Sequence, residues 1–344
     1  MIWLTWRQFR AQTIVTAAFL AALAVLLLVT GLNLIHLYNS NGLATCHGAG
    51  SCGPLASNFI SQVKGSLTEK VFYAGIYIVY AAPAIIGMFW GAPLIAREIE
   101  AGTFRLAWNQ SVSRARWVVV KLGLIGLAAM ATAGLLALMT GWWASPVYQA
   151  AAATGSDSLS IARIAPPLFG AQGIAPVGYA AFAFTLGVTA GLLIRRTIPA
   201  MALTLAGFAF VQIAWPSWVR PHLFSPLRES LPFSTARLDE VMIGSGGHMI
   251  VQDSASKPGA WILSNQAVKP GGQPFTGPPT HACLGRGIQA CNASITRLHL
   301  RQVITYQPAS RFWAFQWYET AIFLVLAVAL AGFCAWWIRH RRLT

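Results

Sequence analysis

Charged residues are scarce in this sequence. Only 10% of its 344 residues are Asp, Glu, Lys or Arg, whereas soluble globular proteins carry about 25%. Acidic side chains are the rarest, with nine Asp and Glu against 24 Lys and Arg. A chain that is 56% hydrophobic and this poor in charge lacks the surface of a soluble protein. The composition therefore predicts an integral membrane protein.

The sequence signatures of catalysis are also missing. It contains no Gly-x4-Gly-Lys-Ser/Thr phosphate loop, no His-Glu-x-x-His zinc motif and no Gly-x-Ser-x-Gly nucleophile elbow. The glycine-rich run 244–247 does not lie between a strand and a helix, as a phosphate loop would. We therefore predict that the chain is not an enzyme and binds no cofactor or metal. Any energy that it uses must come from another protein.

Six apolar runs are long enough to cross a bilayer, at about 13–37, 72–95, 118–144, 173–194, 198–215 and 313–338. Half of the basic residues lie in four short segments at the ends of these runs, 1–12, 96–121, 195–197 and 339–344. The positive-inside rule places these segments in the cytoplasm, with both termini. The net charge of +15 is thus explained by topology, and we predict a multi-pass protein of the plasma membrane that binds no nucleic acid.

The chain divides into three predicted regions. Residues 1–216 hold an N-terminal helix and the first five spans, 217–312 form a small extracellular domain with short strands near 248–251 and 261–268, and 313–344 hold the sixth span and a tail. Residues 1–12 place Ile2, Trp6 and Phe9 on one helical face, which is typical of a helix lying in the headgroup plane. The predicted fold is an all-α membrane protein with this interfacial helix and six transmembrane helices.

Two cysteine pairs lie in predicted outer loops. Cys46 and Cys52 fall in the polar loop 38–71, and Cys283 and Cys291 fall in the extracellular domain. Close pairs on the oxidising side predict two disulfides, Cys46–Cys52 and Cys283–Cys291. The alternative is a metal site that uses Cys46-His47 and His281-x-Cys283, although these segments lack Cys-x2-Cys spacing.

The second span carries helix-disturbing residues. Pro83 and Pro93 predict a kink, and Gly87-x-x-x-Gly91 predicts close helix packing. We favour packing within one subunit over a dimer contact for this glycine pair. The predicted turn at Arg195-Arg196 is very tight, because Ile198-Pro199 already begins the fifth span. A further outer loop is expected over 145–172.

The most charged stretch between two spans covers residues 96–121. A Lys or Arg in the centre of the hydrocarbon costs roughly 3 kcal/mol, so this stretch must be a solvated connection. Its excess of basic residues places it in the cytoplasm. Its charged side chains are Arg97, Glu98, Glu100, Arg105, Arg114, Arg116 and Lys121.

The spacing of this stretch resembles the first cytoplasmic loop of ABC-2 type transporter permeases. The residues that carry the resemblance are Glu98-x-Glu100-x-Gly102-Thr103, Ser113-Arg114 and Lys121, together with Tyr306-Gln-Pro-Ala-Ser-Arg-Phe-Trp313 before the last span. The six-span plan matches such permeases over nearly the whole chain. One departure is the outer region before the sixth span, which is longer than in the simplest relatives.

The resemblance implies a half-transporter. Two such chains, most simply identical, would pair with two copies of a separate ATP-binding cassette subunit, which would hold ATP and Mg²⁺. A cytoplasmic coupling helix between spans 2 and 3, from about Gly102 to Gln110, would dock on that subunit. The residues expected to couple the two proteins are Glu98, Glu100, Gly102, Thr103, Arg105, Trp108, Asn109 and Arg114.

Glu319 lies near the outer end of the sixth span. A carboxylate at membrane depth is a candidate functional residue, and Trp313, Trp317 and Glu319 would form a gate for amphipathic or cationic cargo. The alternative is that Glu319 is solvated or is paired with an outer basic residue such as Arg311.

Three functions follow from this interpretation. The first is the permease of an exporter of amphipathic, drug-like, lipid or peptide cargo. The second is a membrane sensor that transmits ATPase motion to its extracellular domain without transport. The third is an ATP-independent channel or transporter, which is disfavoured because the spans hold almost no acidic residues for ion coupling.

Overall fold

Long apolar helices dominate the computed structural model, which describes residues 2–46, 49–102, 114–154, 162–232, 238–243, 249–253, 259–275 and 288–340. The helices are α1 Ile2–Ser40, α2 Ala49–Val63, α3 Leu67–Ile86, α4 Ala92–Glu100, α5 Arg114–Thr154, α6 Ala175–Ile194, α7 Thr197–Ala214, α8 Ile288–Thr296 and α9 Phe312–His340. The structure also contains five described β-strands, all of which lie between Val219 and Phe312. The chain is therefore mostly helical.

Six helical segments are long and apolar enough to cross a membrane, which confirms the predicted number of spans. They are Phe9–Ser40, Leu67–Glu100, Trp117–Ala153, Ala175–Ile194, Thr197–His222 and Ala309–His340. The chain forms two compact units, one of which, Met1–Thr154 with Pro166–Trp218 and Trp313–Thr344, contains most of these helices.

Helix α6 is the centre of this helical unit. Its most apolar stretch is 78% buried, against 17% for that of α1. Side chains of α6 such as Phe184, Val188 and Leu192 belong to the main hydrophobic cluster. The predicted tight turn follows it, because α6 ends at Ile194 and α7 begins at Thr197.

Glycines allow α6 to touch the second span directly. A π-helical turn, Gly87–Gly91, separates α3 from α4. A Cβ added to Gly87 would lie 2.5 Å from the carbonyl oxygen of Ala183, and one added to Gly187 would overlap the carbonyl oxygen of Gly87. Such contacts leave no room for a side chain at these glycines. The prediction that the Gly87–Gly91 pair packs within one subunit is thus confirmed.

Three segments differ from their predicted structure. Residues 2–40 form one continuous helix, so the predicted interfacial helix at 1–12 is not separated from the first span. The predicted loop 38–71 contains α2, because Ala56, Phe59, Ile60 and Val63 recur at helical spacing and are buried. Helix α5 continues to Thr154 through Pro146, so the expected loop after residue 144 begins ten residues later.

The second unit comprises Gly155–Ala165 and Val219–Phe312. Its described strands are β1 Leu227–Pro232, β2 Leu238–Ile243, β3 Met249–Asp253, β4 Trp261–Val268 and β5 Arg301–Gln307. They form an antiparallel sheet of order β1-β5-β4 and a β2-β3 pair. The strands expected near 248–251 and 261–268 match β3 and β4. That this region is extracellular stays a prediction.

Candidate functional site

Glu98 and Lys121 form an ion pair that joins α4 to α5. The side chains are 15% and 4% exposed, so both charges are largely removed from solvent. The Lys121 Nζ atom also lies 4.7 Å from the ring centroid of Trp117, which is a cation–π distance. A buried charge without its partner is costly, and this pair therefore links the two helices firmly.

Glu100, two residues further along α4, reaches a third helix. Its carboxylate accepts hydrogen bonds from the backbone N–H of Thr197 at 3.2 Å and from the Thr197 hydroxyl at 2.7 Å. Thr197 is the first residue of α7, where N–H groups have no partner in their own helix. Glu100 thus caps α7 from outside, and its negative charge favours that helix end.

We name the four residues Glu98, Glu100, Lys121 and Thr197 the helix-end junction. They bring the end of α4, the beginning of α5 and the beginning of α7 to one place. The pattern of charges in the sequence indicated both glutamates and Lys121, but it did not show which side chains pair. Thr197 in particular lies 97 residues from Glu100 and has no distinctive local signal.

Gly102 lies just after the end of α4 at Glu100, and the rest of the predicted coupling helix, 103–110, lies outside the described residues. Its φ of +68° is in the left-handed region, and its N–H donates to the carbonyl oxygen of Ile99 at 3.1 Å. Glycine is favoured at this position after a helix because it has no Cβ. The predicted coupling residues Thr103, Arg105, Trp108 and Asn109 lie outside the described residues. Arg114 is the first residue of α5.

A cavity of about 420 Å³ lies beside the Glu98–Lys121 pair. Its walls come from the beginnings of the first and third spans and the end of the second. The lining residues are Phe9, Gln12, Trp90, Pro93, Leu94, Arg97, Glu98, Ala101, Lys121 and Ile125. In the described part of the lining, apolar walls therefore meet the charged side chains of Arg97, Glu98 and Lys121.

Glu319 is fully buried, which argues against the interpretation as a solvated carboxylate. The Tyr179 hydroxyl donates a hydrogen bond to it from α6. Trp313 and Trp317 are 56% and 65% exposed on α9. The structure therefore does not bring the three predicted gate residues to one surface, because Glu319 points into the helix bundle and the two indoles point out of it.

Gln316, one turn before Glu319, is a structural residue that the sequence analysis missed. Its side-chain oxygen accepts from the N–H groups of Ile174 and Ala175 at 3.0 and 2.8 Å, and its amide donates to the carbonyl of Phe169 at 3.1 Å. It thus holds the beginning of α6. The sequence does contain a signal for this residue, because Gln316 lies three residues before Glu319 and therefore on the same helical face.

The Cys46–Cys52 disulfide is present, with the two Cα atoms 5.7 Å apart, so that prediction is confirmed. This bond removes Cys46 from the alternative metal site. Cys291 is also disulfide-bonded, while its predicted partner Cys283 lies outside the described residues. Within the described part of the chain, no group of three or more His, Cys, Asp or Glu residues could hold a metal ion.

Comparison with known proteins gives one family. The family described as "ABC-2 membrane transporter related" matches residues 17–220, which is more than half of the chain. No curated protein and no solved structure matches the sequence. The matched range contains the helix-end junction, the second to fourth spans and most of the first and fifth spans.

Proposed function

Because this chain belongs to the ABC-2 membrane transporter related family, we propose that it is the membrane subunit of an ATP-driven exporter. In this proposal a separate subunit, present in two copies, binds ATP and Mg²⁺ and hydrolyses ATP. Two copies of this chain form the path for an amphipathic, drug-like, lipid or peptide cargo. The complex lies in the plasma membrane, with both termini of the chain in the cytoplasm.

The helix-end junction is the observation that carries this proposal. Residues 103–113, between Gly102 and Arg114, are those that would contact the ATP-binding subunit. They are flanked by α4 and α5, which Glu98 and Lys121 join, and Glu100 joins α4 to α7. A force on this segment would therefore act on three helices together, which is what coupling to an ATPase requires.

The mechanism follows from these links. Closure of the ATP-binding subunits would displace residues 103–113 and with them the ends of α4 and α5. Since Glu100 accepts both hydrogen bonds from Thr197, α7 would follow. The resulting tilt converts the path between inward- and outward-open states, in the manner of a two-state element biased by a ligand.

A first test is co-purification of the tagged full-length chain from its native membrane. We expect an ATP-binding cassette protein to be recovered in equal amount. Recovery of the chain without any ATP-binding protein under mild detergent conditions would contradict the proposal.

A second test separates coupling from assembly. Export is measured in reconstituted vesicles with a panel of three cargoes: an amphipathic dye, a fluorescent phospholipid and an apolar peptide. We expect Glu100→Gln to leave the complex assembled but to reduce the ATP-dependent export of these cargoes. Glu69→Gln is the matched control, because Glu69 also accepts a hydrogen bond from a backbone N–H, that of Gly65, near the other end of the second span. Equal export by both variants would refute the coupling role of Glu100.

The same assay tests transport itself. ATP hydrolysis that is stimulated by a member of the panel, with export of that member, supports the exporter. Hydrolysis in the assembled complex without export of any member would favour the sensor alternative.

A further inference from the structure

The cavity beside the helix-end junction has the chemistry of a lipid headgroup site. We propose that it binds the phosphate-bearing headgroup of an anionic phospholipid from the surrounding bilayer. This inference concerns binding alone and does not depend on the proposed transport activity.

The charges in the cavity favour an anion. Among the described lining residues, Arg97 and Lys121 contribute two positive charges and Glu98 one negative charge, which gives these residues a net charge of +1. Glu98 is occupied by Lys121. The Arg97 side chain is exposed and makes no hydrogen bond or ion pair with any residue that the structure describes. Its guanidinium is therefore available, and its planar set of donors suits a phosphate group.

The position of the cavity favours a lipid over a soluble anion. The first and third spans begin here and the second ends here, at Phe9, Trp117 and Glu100 respectively. Span ends are at the level where bilayer headgroups lie. Basic pockets between transmembrane helices at this level bind anionic headgroups.

The apolar walls complete an amphipathic site. Phe9 and Trp90 pack edge to face with ring centroids 4.9 Å apart, and Ile125 extends the same surface. A volume of about 420 Å³ is in the usual range for small-ligand sites. It accommodates a headgroup with its glycerol backbone but not two acyl chains, which would remain in the bilayer.

Native mass spectrometry of the full-length chain tests this site. The protein is released from nanodiscs that contain phosphatidylglycerol and phosphatidylcholine in equal amounts. We expect retained phosphatidylglycerol to exceed phosphatidylcholine. Arg97→Gln should weaken this retention about fivefold, which is the effect of one basic residue at a charged membrane surface. Arg339→Gln, which removes an exposed arginine outside the cavity, should not change it.

A second variant fills the site without removing charge. Ala101 is exposed at the mouth of the cavity, so Ala101→Trp adds volume there without repacking the core. We expect it to lower retention of phosphatidylglycerol while the melting temperature is unchanged. Equal retention of the two lipids, or unchanged retention in both cavity variants, would overturn the proposal. Displacement of the lipid by millimolar inorganic phosphate would assign the site to soluble phosphate compounds and would also overturn it.

Discussion

Removal of the positive charge of Lys121 should reveal how firmly α4 and α5 are joined. Lys121→Met keeps most of the side-chain length against Trp117 but removes the positive charge that pairs with the Glu98 carboxylate. The loss of one member of a buried ion pair costs about 3 to 5 kcal/mol. Because 15% of the Glu98 side chain is still exposed, we expect about 3 kcal/mol, the lower end of that range.

This free energy can be converted into a change in melting temperature. For chains of more than 150 residues, about 1 kcal/mol corresponds to roughly 2 °C. Lys121→Met should therefore lower the melting temperature of the detergent-solubilised protein by about 6 °C. Lys64→Met, at an exposed lysine outside the junction, should have almost no effect, since most surface substitutions change stability by less than about 0.5 kcal/mol.

A double-mutant cycle with Glu98→Gln provides the decisive comparison. Replacement of both members of a buried pair by neutral groups is often close to neutral. The double variant should therefore be more stable than Lys121→Met alone, with an interaction energy of about 2 kcal/mol. If the effects of the two single substitutions simply add in the double variant, the two side chains do not interact in the folded protein and the reasoning is refuted.

Three further predictions concern other parts of the helical unit. Gly187→Ala should destabilise the protein by about 3 kcal/mol in thermal unfolding, because the added methyl group overlaps a backbone carbonyl, whereas Gly332→Ala, where the space is open, should not. Cys46→Ser should cost about 2 kcal/mol in thermal unfolding, which is the loop-closure entropy of a short disulfide loop. Tyr179→Phe should cost about 2 kcal/mol by removing a hydrogen bond to a buried carboxylate, while Tyr77→Phe at an exposed position should leave the melting temperature unchanged.

Each of these predictions can fail in a distinct way. Equal melting temperatures for the two glycine variants would mean that the backbones are not in contact. A Cys46→Ser protein as stable as the parent would mean that the bond closes no constrained loop. Equal effects of the two tyrosine substitutions would show that the buried hydroxyl contributes nothing beyond an exposed one.

The spans could be predicted from the sequence because they depend on local composition. A run such as 13–37 is apolar enough to cross a bilayer whatever surrounds it. The Cys46–Cys52 bond could be predicted equally well, since a separation of six residues keeps the two sulfur atoms close. Helix α2 could also have been predicted, since its apolar positions recur at helical spacing. The Asn, Gly and Ser residues between them obscured this pattern.

The contacts of the junction could not be predicted in the same way. Glu98 is 23 residues from Lys121, and Glu100 is 97 residues from Thr197. Whether such residues meet depends on how far each helix is rotated about its axis, which packing decides. The same holds for Glu319, since the sequence places it at a depth in the sixth span but does not state which way it faces.

The glycine contacts between α6 and the second span restrict how a transport cycle can proceed. Where main chains touch, no layer of side chains is left that could adopt an alternative set of rotamers. The two elements consequently have to travel as one rigid block, and bending must occur at other helix boundaries.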